Sequence, residues 1–147
     1  MISSETIKEF TELANRFEAP SFLDKDPSKF MHMVTDPVEQ ELIAFLSASL
    51  AFGRREQILK HIQTILDKSG NNLSTWIKNR QYLSFFDKGD SSFYRVYSHN
   101  AMISFFDTLC NLIEENGSFG ESIKKKALKV YPLSEKTPFI ISSLLVF

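Results

Sequence analysis

The sequence predicts an all-α fold, a single domain spanning residues 1–147 with about six to eight helices around a buried central one. From Leu42 to Phe52 (LIAFLSASLAF) no residue is charged, and apolar or small side chains occupy every side. That is the pattern of a helix enclosed by others rather than one lying on a surface. Glycine and proline number only 5 each, and no proline occurs between Pro37 and Pro132, which leaves long stretches free to be helical. On both sides of the central run, apolar residues return at helical spacing. At 147 residues and 43% hydrophobic content, the chain can bury a real core and is short for two.

Ser3 and Ser4 can cap a first helix in which Ile7, Phe10, Leu13, Ala14 and Phe17 share one face; Glu5, Lys8, Glu9 and Glu12 point away, and Pro20 lies past its end. Residues 18–35 form a connector with one short helix from Pro27 to about Met33, because Asp26-Pro27 is a cap-plus-proline start. The central helix opens with Asp36 as cap and Pro37 in the first helical position, with Glu39 where a capping box places its acid. Gly53 breaks it. A second helix, Arg54 to Lys68, carries Ile58, Leu59, Ile62, Ile65 and Leu66 on one stripe, and Gly70 suits a left-handed cap. Asn71 or Asn72 caps a short helix through Trp76 and Ile77, and Tyr82 to Phe86 is a second short apolar piece closed by the turn Asp87-Lys88-Gly89-Asp90. A long amphipathic helix follows from Ser98 or Asn100 to Asn116, with Ala101, Met102, Phe105, Phe106, Leu109, Leu112 and Ile113 inward and Gly117 beyond it. A mostly polar helix from Phe119 to Val130 comes next. The best strand signals are Phe93 to Tyr97 and Phe139 to Phe147.

The formal charge of -1 and pI near 6.3 argue against a polybasic nucleic-acid coat, though not against a local basic face. The single cysteine, Cys110, excludes an intramolecular disulfide and sits in an apolar run as a core thiol, with no electropositive neighbour in sequence. No signal-peptide pattern opens the chain and no uncharged run approaches the roughly 20 residues that span a bilayer, so no membrane partner is expected and a reducing cytoplasm fits.

Arg54 and Arg55 stand in the first turn of their helix, where the dipole is positive and cations are unfavourable unless something offsets them. A phosphate there would gain from free amides, the dipole and both guanidiniums. An acid such as Glu56 could instead neutralise them structurally, and Lys60, His61 and Lys68 extend a basic strip whose simplest reading is a solvated face. Phe93-Tyr94-Arg95-Val96-Tyr97 interleaves aromatics with a cation, able to stack bases or hold a phosphate; the simpler reading is core packing with Arg95 reaching solvent or a carboxylate. Lys124 to Lys126 with Lys129 reads as solvated surface.

His32, His61 and His99 lie far apart without metal-ligand spacing, and no phosphate loop, nucleophile elbow or dinucleotide fingerprint occurs. No metal or cofactor is implied, and no catalytic set can be assembled. The apolar residues Phe139, Ile140, Ile141, Leu144, Leu145, Val146 and Phe147 close the sequence without cap or charge. They read as an element docked in the core, a surface for a protein partner or a second copy, or a chain cut short of its original length.

Asp36-Pro37-Val38-Glu39, Ala48-Ser49-Leu50-Ala51-Phe52-Gly53-Arg54 with Gln57-Ile58-Leu59, and Phe93 to Tyr97 resemble the front part of an uncharacterised bacterial family, domain of unknown function 2400. The resemblance runs from about Asp36 to Ile123. That family is in turn distantly similar to helix-hairpin-helix DNA glycosylases, all-helical enzymes that extrude a base and cut its glycosidic bond. The resemblance implies a helical fold with DNA contact by Arg54, Arg55 and Arg95. It does not carry catalysis over, because the family's Lys-Arg segment and Asp-Thr-His motif have no match in these residues. The expected function is therefore a glycosylase-like DNA-binding module, with a helical protein-interaction or self-association module as the alternative and a small-molecule enzyme as a third reading.

Overall fold

The computed structural model describes residues 2–17 and 20–130. Among these the protein is all-α apart from one short hairpin. The elements are α1 (Ser4–Phe17), a 3₁₀ turn (Pro20–Lys25), α2 (Lys29–His32), α3 (Pro37–Ser49), α4 (Arg55–Lys68) and α5 (Leu73–Lys78). A second 3₁₀ turn (Gln81–Ser84), β1 (Ser92–Tyr94), β2 (Tyr97–Ser98), α6 (His99–Asn116) and α7 (Phe119–Val130) complete them. The apolar segment Phe139 to Phe147, read above as a docked element or a binding surface, lies outside the described residues.

The central helix is where the uncharged run predicts it. α3 packs against α2, α4, α5 and α7, and Leu42, Ile43, Leu46 and the following Leu50 are buried. Its enclosure is less complete than expected. The helix stops at Ser49, Ala48 is exposed, and Phe52 turns outward with 64% of its surface accessible. The small side chains Ala44, Ala48 and Ala51 face the Asp26–Ser28 corner across a shallow hollow of about 270 Å³, so that side of the helix is approached but not filled.

Asp36 caps α3 as predicted, its carboxylate accepting from the Val38 N–H at 3.3 Å. Glu39 does not fold back to make a capping box. Its buried carboxylate crosses to α5 and accepts from the N–H groups of Leu73 and Ser74 at 2.8 and 2.9 Å, while the Asn72 side chain accepts from Thr75 at 3.1 Å. The first three free amides of α5 are thus all satisfied, two by an anion at the positive end of the helix dipole. Hydrogen bonds to a charged acceptor contribute about 1.5–3 kcal/mol each, so this long-range cap explains how a six-residue helix holds its place under α3.

The caps of the longer helices follow the sequence. Gly70, at φ +62°, ends α4 with Asn71 donating to Leu66 at 3.0 Å and Gly70 to Asp67 at 3.1 Å, the paired bonds of a left-handed terminus. Ser98 caps α6 by accepting from Ala101 at 3.1 Å, and Gly117 closes it. The many phenylalanines find a use in one ring network, where Trp76, Tyr82, Phe85, Phe86, Phe93 and Phe106 meet edge-on or stacked between α5, α6 and the hairpin.

Three further expectations are corrected. The connector helix is shorter than Pro27–Met33, running only from Lys29 to His32, although the Asp26 carboxylate does accept from the Ser28 N–H and O–H just before it. The first helix forms with Ser3 as its cap, but its apolar stripe covers none of the described core: Ile7, Phe10, Leu13 and Phe17 are all exposed and α1 has no buried residue. Periodicity establishes that a helix has an apolar face, not what lies against it. Of the strip on α4, His61 is half-buried rather than on an open face; its ring packs at 4.3 Å on Tyr94 and 5.3 Å on Phe93.

Candidate nucleic-acid interface

The site is built at the Gly53 turn, where the sequence changes abruptly from uncharged to basic. Leu50 and Ala51 close α3 with bonds to Leu46 and Ala48, and Gly53 then takes φ +135°, which reverses the chain into α4. Arg54 occupies the cap position of α4 in extended conformation without capping it through its side chain, and Arg55 is the first helical residue. Both are exposed, and among the described residues neither makes an ion pair. Glu56, named as the acid that might neutralise them, is likewise exposed and unpaired there. The positive end of the α4 dipole thus carries two cations that have no ion pair among the described residues.

The hairpin of β1 and β2 is laid on this turn. Tyr94 is buried, and its hydroxyl donates to the Phe52 carbonyl at 2.9 Å; the Tyr97 hydroxyl donates to the Ser49 carbonyl at 2.9 Å. His61 of α4 closes the back by stacking on Tyr94. With both tyrosines anchored, the two residues between them, Arg95 and Val96, must make the turn. Arg95 does so at φ +56°, a conformation costing roughly 1–2 kcal/mol for a non-glycine residue.

That conformation folds Arg95 back over Gly53. A Cβ on Gly53 would stand 2.7 Å from Arg95 Nε, 3.0 Å from its Nη2 and 2.7 Å from the Tyr94 hydroxyl, so glycine is required for the close approach as well as for its φ. The guanidinium also lies 6.0 Å from the centre of the Phe52 ring. The structure thus brings together the Gly53–Arg55 turn and Arg95, which are some forty residues apart in sequence. Exposed Phe52 and Val96 border the same patch, Val96 being 76% accessible.

One acid acts on the patch from a distance. The Asp26 carboxyl is held below its ordinary range, first by the Ser28 hydroxyl and then by the Ser28 N–H; partial desolvation opposes this and the charge of Arg55 adds to it. Arg55 is therefore felt by Asp26 without forming an ion pair with it.

Phe52 is the member that sequence reasoning missed, since it looked like the last residue of the buried run. The available signal was register: Leu42, Leu46 and Leu50 occupy one stripe, and Phe52 falls off it, beside a glycine.

Other residues with chemical potential are engaged structurally. Arg80 pairs with Asp107 at 3.2 Å and Glu114 at 3.7 Å, and Tyr82 donates to Asp107 at 2.5 Å, tying the second 3₁₀ turn to α6. Cys110 does have a cation near it, Arg80, contrary to the impression from its sequence neighbours. Burial and its hydrogen bond to Glu114 at 3.3 Å outweigh that charge and push the thiol up, away from reactivity. His99 accepts from the Asp87 N–H at 3.1 Å, and Lys124 pairs with Glu121 at 3.3 Å. No cluster of three or more His, Cys, Asp or Glu suited to a metal occurs among the described residues, and none of their helices is long and apolar enough to cross a membrane. A groove of about 400 Å³ between α6 and α7, lined by Phe105, Leu109, Leu112, Phe119 and Ile123, has Lys126 as its one ionisable side chain among the described residues and offers no acid–base pair.

A family model described as Protein of unknown function (DUF2400) matches residues 26–143, which takes in the Gly53 turn, the hairpin and all the helices from α2 to α7 but leaves α1 outside. No curated protein and no solved structure matches the chain.

Proposed function

The chain belongs to this family of unknown function, and from that premise we propose that it is a helical DNA-binding module, glycosylase-like in its resemblance, that grips backbone phosphates with Arg54, Arg55 and Arg95. One arrangement supports the reading: Arg54 and Arg55, exposed and without ion pairs among the described residues, directly follow Gly53, against which the Arg95 side chain lies from a turn at positive φ. Guanidiniums match phosphate oxygens in bidentate geometry, and the α4 dipole adds to their attraction for anions. Bond cleavage is not assigned, because no residue of the chain matches the glycosylase catalytic motif.

Each phosphate neutralised contributes about 0.7–0.9 to the salt slope of binding, so three contacts give a slope of about −2 to −3. Affinity for labelled DNA, followed by fluorescence anisotropy, should fall by about 20- to 40-fold as salt rises from about 50 to about 200 mM. Arg54→Ala with Arg55→Ala should leave a slope near −1. Binding that ignores salt, or is the same in the double variant, would overturn the proposal.

The exposed stripe of α1 favours a second reading, a protein-interaction module. Ile7, Phe10, Leu13 and Phe17 form the i, i+3, i+4 ladder of a helix that enters a partner's groove. Salt-insensitive self-association lost in Phe10→Asp would support it.

A further inference from the structure

We propose that Phe52 is a stacking platform for an unpaired base, so that the ligand is a strand with free base faces rather than a closed duplex. This rests on the phosphate reading above and goes beyond it.

Phe52 is exposed to 64%, yet its position is determinate. Its carbonyl is held by Tyr94 at 2.9 Å, the next residue is the constrained Gly53, and Arg95 stands 6.0 Å from its ring. A single exposed apolar residue needs no explanation. An aromatic ring with Arg95 beside it and Arg54 and Arg55 following in the chain is different, because the cations that attract a nucleic-acid backbone bring its bases to the ring. Val96, exposed to 76% at the tip of the hairpin, widens the apolar part of the same patch.

The chemistry selects the state of the strand. In a closed duplex every base face is already stacked on its neighbours, and a protruding ring gains contact only by prising a step apart. A single strand or locally unpaired stretch presents its faces freely. Stacking is tolerant of base identity, since every base has a π face, so the site discriminates pairing state and not sequence. Arg95 has a double part in this arrangement, as a phosphate ligand and as the cation beside the stacked ring.

The experiment compares the full chain's affinity for a single-stranded oligodeoxynucleotide, the same length of abasic strand, and a blunt duplex. The base-bearing strand should bind roughly tenfold tighter than the abasic one for one stacked base, and tighter than the duplex. Phe52→Leu should remove the advantage of the base-bearing strand and Phe52→Trp should preserve it. Arg54→Ala with Arg55→Ala should weaken binding to all three. Equal affinity for base-bearing and abasic strands, tighter binding of the duplex, or an undiminished advantage in Phe52→Leu would overturn the inference while salt-dependent binding through the arginines still stood. Absence of salt-dependent binding to any of the three would remove both proposals.

Discussion

Gly53→Ala tests the keystone of the site with the smallest possible change. The added methyl meets the Arg95 guanidinium and the Tyr94 hydroxyl at 2.7 Å, inside any tolerable contact. Arg95 is the free end of a flexible chain and can swing away, but Tyr94 is buried and its hydroxyl is committed to the Phe52 carbonyl, so it retreats only by giving up that bond. The lost hydrogen bond costs about 1 kcal/mol. Holding alanine at φ +135°, a region almost exclusive to glycine, adds about 1–3 kcal/mol. The reduced freedom of the unfolded chain returns about 0.4–1 kcal/mol. The net loss is therefore about 1–3.5 kcal/mol, a fall of about 1 M in the urea midpoint at a typical slope. Gly89→Ala is the control, for its added carbon meets nothing within 4 Å; it should stay within about 0.5 kcal/mol of the parent. In the Tyr94→Phe background, where the hydroxyl is gone, Gly53→Ala should cost less than in the parent. If Gly53→Ala unfolds at the same urea concentration as Gly89→Ala, the close approach of hairpin to turn is wrong, and with it the placement of Arg95.

Two further predictions concern the core and α1. Burial and the hydrogen bond to Asp107 raise the Tyr82 hydroxyl well above its ordinary value. Because the folded value is the higher one, its stabilisation is complete below about pH 10 and is lost as pH rises beyond that, where the unfolded chain ionises first. Urea melts should show this alkaline loss in the parent and less of it in Tyr82→Phe; an equal loss in both would refute it. Phe106→Ala, which empties a site with no exposure between four rings, should cost about 3–5 kcal/mol, whereas Phe10→Ala on the open face of α1 should change stability by less than about 0.5 kcal/mol. Comparable losses would mean that α1 packs on the core.

The helices and their ends were legible because they are set by neighbours within a turn or two. Pro37 after Asp36, Asn72 before Leu73, Gly70 after Ser69 and Gly117 after Asn116 each act on backbone groups within a few residues, and all stand where the structure needs them. Where local and distant partners compete, local rules failed. Glu39 had a capping box within reach and instead serves Leu73 and Ser74, thirty-four and thirty-five residues on, where the buried Leu73 amide needs a partner within the protein. Cys110 had no cation nearby in sequence but has Arg80 in space.

The candidate site divides the same way. All three of its arginines were named from sequence, Arg54 and Arg55 because a cation in the first turn of a helix is locally unfavourable and asks for an offsetting anion, Arg95 from its aromatic neighbours and the family resemblance. That Arg95 joins them, and that Phe52 faces outward, depended on Tyr94 and Tyr97 reaching the carbonyls of Phe52 and Ser49. By itself the sequence determined the helical class, the central run and the helix ends, since hydrophobic period and capping are properties of consecutive residues. Only the tertiary structure decided which exposed groups share a surface, because hydrogen bonds and packing between distant segments set that distance, and no local pattern encodes it.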